Sequence, residues 1–122
     1  SPIIKNPLHL VAMNGPSLEK FAPTVKPGGI VFVNSSLIAF GANRADVDEL
    51  RVPVVDIAKE LGSVKAANIV ALAAFVARSG IVPLQTLQRC VKEEFSLKPK
   101  LIPLNMEAVA AGEKAAAPAE KG

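Results

Sequence analysis

The sequence has one cysteine, Cys90, one histidine, His9, and neither tryptophan nor tyrosine. A lone thiol excludes an internal disulfide and leaves no cysteine cluster for zinc or an iron–sulfur centre, so any such metal belongs to a partner. Five phenylalanines give few platforms for stacked bases, and the basic residues, with a formal net charge of only +3, are dispersed among eleven acids. Nucleic acid is not indicated, because phosphate binding needs a dense Lys/Arg face. The longest nearly unbroken apolar run, Ala66 to Ala77, is interrupted by Asn68 and falls short of the roughly 20 residues that span a bilayer. No membrane span follows, and the composition suits a reducing cytoplasm. The opening SPIIKNP has no basic and apolar regions of a secretory signal and no initiating methionine, so the chain reads as processed, trimmed or a fragment.

What is present is a folding sequence. Half of the 122 residues are hydrophobic, 20 % are charged and the mean hydropathy is +0.34, which excludes an intrinsically disordered chain and allows one core. Leu8 to Met13 is a mostly apolar run stopped by Asn14-Gly15-Pro16, a strand entering a turn, with an apolar content that predicts burial on both faces. Pro16 then opens a helix in which Leu18, Phe21, Ala22 and Val25 recur at helical spacing. Lys26-Pro27-Gly28-Gly29 breaks it, and Ile30 to Val33 forms a second buried strand ending at Asn34. Strand, helix and strand make a βαβ unit, and continuous apolar strands are what a parallel sheet covered on both faces requires.

Beyond a polar stretch, Asn43 to Leu50, the run Arg51 to Val55 is predicted as an edge or irregular strand, since Pro53 cannot donate to a ladder. Asp56 is expected to cap a helix ending at Gly62, and Ala66 to Ala77 to form a buried helix closed at Gly80. A helix from Pro83 is expected to turn Leu84, Leu87, Cys90, Val91 and Phe95 inward, and Asn105 to cap a last helix, Met106 to Ala111, ended by Gly112. The expected fold class is α/β, a three-layer Rossmann-like domain with a mostly parallel sheet, N-terminally incomplete, occupying residues 1–112. Residues 113–122, rich in alanine, are expected to form a flexible tail.

In an open parallel sheet, ligands bind outside the carboxyl ends of the strands. Both clear strands end in asparagine there, so Asn14-Gly15 and Asn34-Ser35-Ser36 bring amide, hydroxyl and backbone donors to one edge, suited to a phosphate, a carboxylate or a polar cofactor group. The competing reading is that Asn tolerates left-handed turns and Ser caps helices. It is preferred for Asn14 and evenly balanced for Asn34, Ser35 and Ser36. His9 has no nucleophile near it and reads as structural; Cys90 reads as an inert core thiol; Asp46, Asp48 and Glu49 read as a solvated loop rather than a cation site. Asn68 reads as a structural or interface residue that must find hydrogen bonds if buried. Neither a GxGxxG nor a GxxxxGKS loop is present, no catalytic residue and no metal ligand set is identified, and the residues alone reach "part of an α/β ligand-binding domain".

The string SPIIKNPLHLVAMNGPSLEKFAPTVKPGGIVFVNSSLI, followed by VPVVDIAKELGSVKAANIVAL and NMEAVAAG, resembles the gamma subunit, or gamma domain, of the 2-oxoacid:ferredoxin oxidoreductases. The resemblance runs from Ser1 to Gly112 and rests on several motifs in order. It implies an oxidative decarboxylation in which a 2-oxoacid and coenzyme A become acyl-CoA and carbon dioxide while electrons pass to ferredoxin. Thiamine diphosphate, magnesium and iron–sulfur clusters then sit on alpha, beta and delta partners, and this chain binds none of them alone. The gamma module is associated with coenzyme A and with packing against the thiamine-binding components. Asn34, Ser35 and Ser36 match a family motif and are expected at the ligand, with Asn14 beside them; Asn68 matches a second motif and is assigned to structure or interface. The NSSLI form at Asn34 to Ile38 looks more like the 2-oxoglutarate and branched-chain enzymes than the pyruvate enzymes.

The chain departs from the family in lacking the usual first strand with its GGQG-type loop, in having Gly62-Ser63 for the usual Gly-Asn, and in having Ala73 where a glycine is common. The missing loop argues against coenzyme A binding by this chain alone. Two other readings stay open: a stand-alone nucleotide or coenzyme A binding module, and, ranked last, a fragment of a nicotinamide dehydrogenase or methyltransferase, in which KPGG before an apolar strand also occurs.

Overall fold

The computed structural model describes residues 8–117. Its contacts divide the stretch expected to be one domain into two compact units, one ending at Pro53 and the next starting at Val54. The first is built on three parallel strands lying side by side in sequence order: β1 (Leu10–Ala12), β2 (Ile30–Asn34) and β3 (Asp48–Val52). Leu10 stands opposite Val31 and Ala12 opposite Val33, while Ile30 pairs with Asp48 and Asn34 with Val52. The α/β class with a parallel sheet is thus as expected. Every residue of β2 is buried, as its unbroken apolar run predicts for the central strand of a parallel sheet.

β1 is shorter than expected and is not buried on both faces, since Val11 is 42 % exposed. The reason is coverage. Helix α1 (Gly15–Phe21) and the 3-10 turn after it, Ala22–Thr24, pack Leu18, Ala22 and Val25 onto the face carrying Ala12, Val31 and Val33, and Val11 points the other way. Asn14 caps α1 by accepting from the Ser17 amide at 2.9 Å. Phe21 was expected in the buried stripe but is exposed, because Ala22 and Val25 keep the three-residue spacing of the 3-10 turn and Phe21 falls outside it.

The run expected as one irregular strand from Arg51 to Val55 is split at Pro53. Arg51 and Val52 complete β3, at the sheet's edge, while Val54 and Val55 open α2 (Val54–Leu61). Asp56 therefore is not the cap of α2 but lies in its first turn, where a carboxylate meets the positive end of the helix.

In the second unit, α3 (Ala67–Ser79) ends on Gly80, whose φ of 68° closes the helix in a left-handed turn. It buries one face, Val70, Ala71, Ala73 and Ala74, while Leu72 and Asn68 are exposed, so Asn68 has no desolvation to offset. α4 (Leu84–Glu94) buries Leu87 and Val91, with Leu84 and Phe95 packed beside them. Cys90 is exposed rather than core, since one residue from Val91 is about 100° around the helix.

The last helix, α5 (Ile102–Ala116), is longer than expected at both ends. Asn105 is not its cap; it lies one turn inside, buried, and its Nδ2 donates to the Leu101 carbonyl at 2.8 Å. Gly112 is not its stop but the place where α5 meets α3. A Cβ there would lie 2.3 Å from the Val70 carbonyl oxygen and 2.8 Å from the Ala73 Cβ. The helix takes up residues 113–116 of the expected flexible tail, and residues 118–122 of that tail lie outside the described residues. No described helix is long and apolar enough to cross a membrane.

The α3–α5 approach gives a clear expectation. Gly112→Ala gains about 1 kcal/mol of helix propensity but forces the helices apart at a cost of about 1–3 kcal/mol, so the urea midpoint is expected to fall. A raised midpoint would contradict the close approach.

Candidate functional site

Parallel strands need a crossover, commonly a helix. Between β2 and β3, residues 35–47 provide it without one, so the backbone groups of this segment must be satisfied by something other than a helical ladder. Side chains supply much of this. Arg51 donates to the Ile38 and Phe40 carbonyls of the segment, whereas Arg44, from within the segment, donates to the Ala22 and Val25 carbonyls at the two ends of the 3-10 turn. The Glu49 carboxylate accepts from the Ala42 amide at 2.8 Å. Asn43 takes a positive φ of 58° at the turn before Arg44, a region asparagine tolerates.

All three strands run the same way, so their carboxyl ends share one edge, and the four candidate residues are all brought to it. Asn34 is the anchor. Its side chain is only 1 % exposed, its Nδ2 donates across to the Met13 carbonyl at 3.2 Å, and its Oδ1 accepts from the Ser36 amide at 3.1 Å. Its own carbonyl accepts from the Leu37 and Ile38 amides. On the other side, the Ser35 amide donates to the Val52 carbonyl at 3.0 Å. Thus the ends of β1, β2 and β3 are tied together at Asn34 and Ser35.

This arrangement separates roles the sequence left balanced. Asn34 shapes the edge from beneath, with both polar ends engaged inside the chain. Asn14 caps α1 through Oδ1, and its exposed Nδ2 has no partner among the described residues. Ser35 and Ser36 are half-buried at the turn, and the Ser35 hydroxyl has no partner among the described residues. The edge can therefore offer an amide and a hydroxyl donor to a polar group placed between the ends of β1 and β2.

The remaining candidates are structural. The His9 Nδ1 accepts from the Ile30 amide at 2.9 Å, joining the approach to β1 to the start of β2. Asp48 and Glu49 belong to β3 rather than to a solvated loop, and Asp46 pairs with Arg44 at 2.7 Å. The guanidinium hydrogen bond holds the Asp46 carboxyl below its usual range. Among the described residues no group of three His, Cys, Asp or Glu could hold a metal ion. A cavity of about 470 Å³ lined by Val76, Val82, Leu84 and Glu113, among others, has a single carboxylate and no converging donors. Sequence reasoning missed Arg44 and Arg51 and assigned Glu49 to a solvated loop; the available signal was Glu49 and Arg51 at alternate positions of a strand, which puts both on one face.

Residues 1–115 match the family described as pyruvate ferredoxin/flavodoxin oxidoreductase. The chain belongs to this family. Among curated relatives, ketoisovalerate oxidoreductase subunit VorA of Methanothermobacter thermautotrophicus is 37 % identical over 116 residues, covering 92 % of this chain and 23 % of the relative. The same subunit of Methanothermobacter marburgensis is 36 % identical over 114 residues with the same coverage. The chain spans about a quarter of the length of these relatives. Among solved structures, the gamma subunit of a keto/oxoacid ferredoxin oxidoreductase from Geobacter sulfurreducens superposes with a TM-score of 0.81 at 26 % identity, covering 89 % of this chain and 63 % of that one. A 2-oxoglutarate:ferredoxin oxidoreductase from Magnetococcus marinus, solved with 2-oxoglutarate, coenzyme A and succinyl-CoA bound, gives 0.78 at 26 % identity, covering 89 % and 19 %. The resemblance read in the motifs is thus borne out at the level of family and fold.

Two outcomes are expected of this edge. Asn34→Leu keeps the branched outline but strands the Met13 carbonyl and the Ser36 amide, and should cost about 1–3 kcal/mol in urea unfolding; unchanged stability would mean that the strand ends are tied elsewhere. Because the Asp46 pKa is lowered on folding, its contribution is present above the ordinary carboxylate pKa and disappears as pH falls through the lowered one. Asp46→Asn should therefore lower the thermal midpoint at neutral pH and have little effect in strong acid, and an equal loss at both would contradict the ion pair.

Proposed function

We propose that this chain is the gamma component of a 2-oxoacid:ferredoxin oxidoreductase, in which coenzyme A and a 2-oxoacid yield acyl-CoA and carbon dioxide and the electrons go to ferredoxin. The observation that carries the reading is the family match over 1–115 joined to the gamma-subunit fold at a TM-score of 0.81. The ketoisovalerate name of two relatives supports a branched-chain 2-oxoacid as substrate. Family membership counts against a stand-alone nucleotide or coenzyme A module.

Within the complex, the role of this chain is to bind and orient. Asn14 Nδ2 and the Ser35 hydroxyl donate to oxygen acceptors of coenzyme A, its phosphates or pantetheine carbonyls, with Ser36 beside them. Asn34 holds the turn that presents these groups, so that their geometry is set before the ligand arrives. The residues present do not fit thiamine diphosphate with magnesium or an iron–sulfur cluster: Cys90 is the one thiol in the sequence, and no cluster of His, Cys, Asp and Glu forms among the described residues. Those groups are assigned to alpha, beta and delta partners, in a cytoplasmic complex.

The test is to purify the complex through a tag on this chain and follow reduction of a low-potential acceptor with coenzyme A and a panel of 2-oxoacids. The alpha and beta partners should co-purify, with activity highest on branched-chain 2-oxoacids. A complex fully active without this chain would overturn the reading. Ser35→Ala should raise the half-saturating coenzyme A concentration several-fold with little change for the 2-oxoacid; equal loss on both substrates would mark Ser35 as a turn residue only.

A further inference from the structure

The segment that follows Asn34 is held at two places, and only one belongs to the edge described above. At its start, the Leu37 and Ile38 amides donate to the Asn34 carbonyl. Further on, it lies against two side chains of β3. Glu49 and Arg51 stand at alternate positions of that strand, opposite Val31 and Val33, and so share a face. The Arg51 Nη1 donates to the Phe40 carbonyl at 2.9 Å and to Glu49 Oε2 at 3.2 Å, and its Nη2 donates to the Ile38 carbonyl. Glu49 Oε1 accepts from the Ala42 amide at 2.8 Å. Three backbone groups of residues 38–42 thus end on one ion pair.

The fit is close. A Cβ at Gly41 would fall 2.8 Å from Glu49 Oε2, so the backbone passes directly over the carboxylate. At Phe40 the segment turns back toward the edge, where the ring stands 3.4 Å from the position a Gly15 Cβ would take, next to Asn14. The 35–42 segment is therefore a short bridge. One end is tied by the buried Asn34 amide, the other by Arg51 and Glu49, and Ser35 and Ser36 lie between.

We infer that Arg51, oriented by Glu49, is a positioning residue for coenzyme A: it fixes the 35–42 segment so that Ser35 and Ser36 meet the ligand in one conformation. This rests on the reading that the carboxyl edge contacts coenzyme A. The chemistry requires a guanidinium. Its planar fork serves two carbonyls and one carboxylate from fixed directions, whereas an ammonium gathers its three donors on one nitrogen at the end of a flexible stem. Without the fork the Ile38 and Phe40 carbonyls turn to water, the segment samples several conformations, and the ligand must select one of them.

The experiment compares Arg51→Gln, Arg51→Lys and Ser35→Ala in the purified complex by two readouts: hydrogen–deuterium exchange of the peptide spanning residues 35–42, and the dependence of acceptor reduction on coenzyme A at saturating 2-oxoacid. Both Arg51 variants should exchange faster in that peptide and need about tenfold more coenzyme A for half-saturation, with kcat at saturating coenzyme A within about twofold. Full function in Arg51→Lys would overturn the need for the fork. Raised exchange with an unchanged coenzyme A requirement in Arg51→Gln, while Ser35→Ala raises that requirement, would overturn Arg51 as a positioning residue and leave the edge as the coenzyme A site. An unchanged requirement in all three variants would overturn the reading of the edge itself.

Discussion

The buried amide of Asn34 is the interaction on which the carboxyl edge of the first unit's sheet depends. A side chain that is 1 % exposed cannot leave its donor or acceptor unmade without cost, so its bonds to Met13 and Ser36 behave as a fixed cross-brace. β1 contributes only three residues of ladder, too few to set the position of its own end firmly. The brace supplies what the short ladder lacks. It also starts the turn through which the chain leaves the sheet, since the Asn34 carbonyl takes the next two amides.

A second constraint follows from the crossover. Having no helix between β2 and β3, the segment takes hydrogen bonds from Arg51 and Glu49 of β3, while its own Arg44, paired with Asp46, reaches out to the carbonyls beside the 3-10 turn. Exposed ion pairs of this kind add little stability by themselves. Here their value is geometric, because each guanidinium also collects carbonyls from two backbone positions. Strands below, a braced turn and a strapped segment together hold an irregular loop in place on a regular scaffold.

Where local pattern and packing agree, the sequence was enough to read the structure. β2 is a run of apolar residues bounded by Gly29 and Asn34, and its burial and direction follow. The βαβ unit, the break at Gly80 and α4 from Leu84 follow in the same way. The errors lie where a neighbour decides. Gly112 looks like a stop until α3 is seen 2.3 Å from its missing Cβ. Asn105 looks like a cap until Pro103 is recognised as sitting in the first turn of a helix already begun at Ile102. Cys90 needed the true width of the α4 stripe, and the 42 % exposure of Val11 is not written in the apolar run around it. At the edge, residue type gave Asn34, Ser35 and Ser36 as candidates, but which of them faces inward is set by register with Met13 and Val52, which no local pattern encodes.

We propose that the carboxyl edge of this sheet, braced by Asn34, presents Asn14, Ser35 and Ser36 to coenzyme A in an assembled 2-oxoacid:ferredoxin oxidoreductase. The most direct measurement is an experimental structure of that assembly with coenzyme A bound. An oxygen of coenzyme A is expected within hydrogen-bonding distance of the Ser35 hydroxyl or Asn14 Nδ2, with Asn34 still bonded to Met13 and Ser36. Coenzyme A bound with no contact to this edge would contradict it.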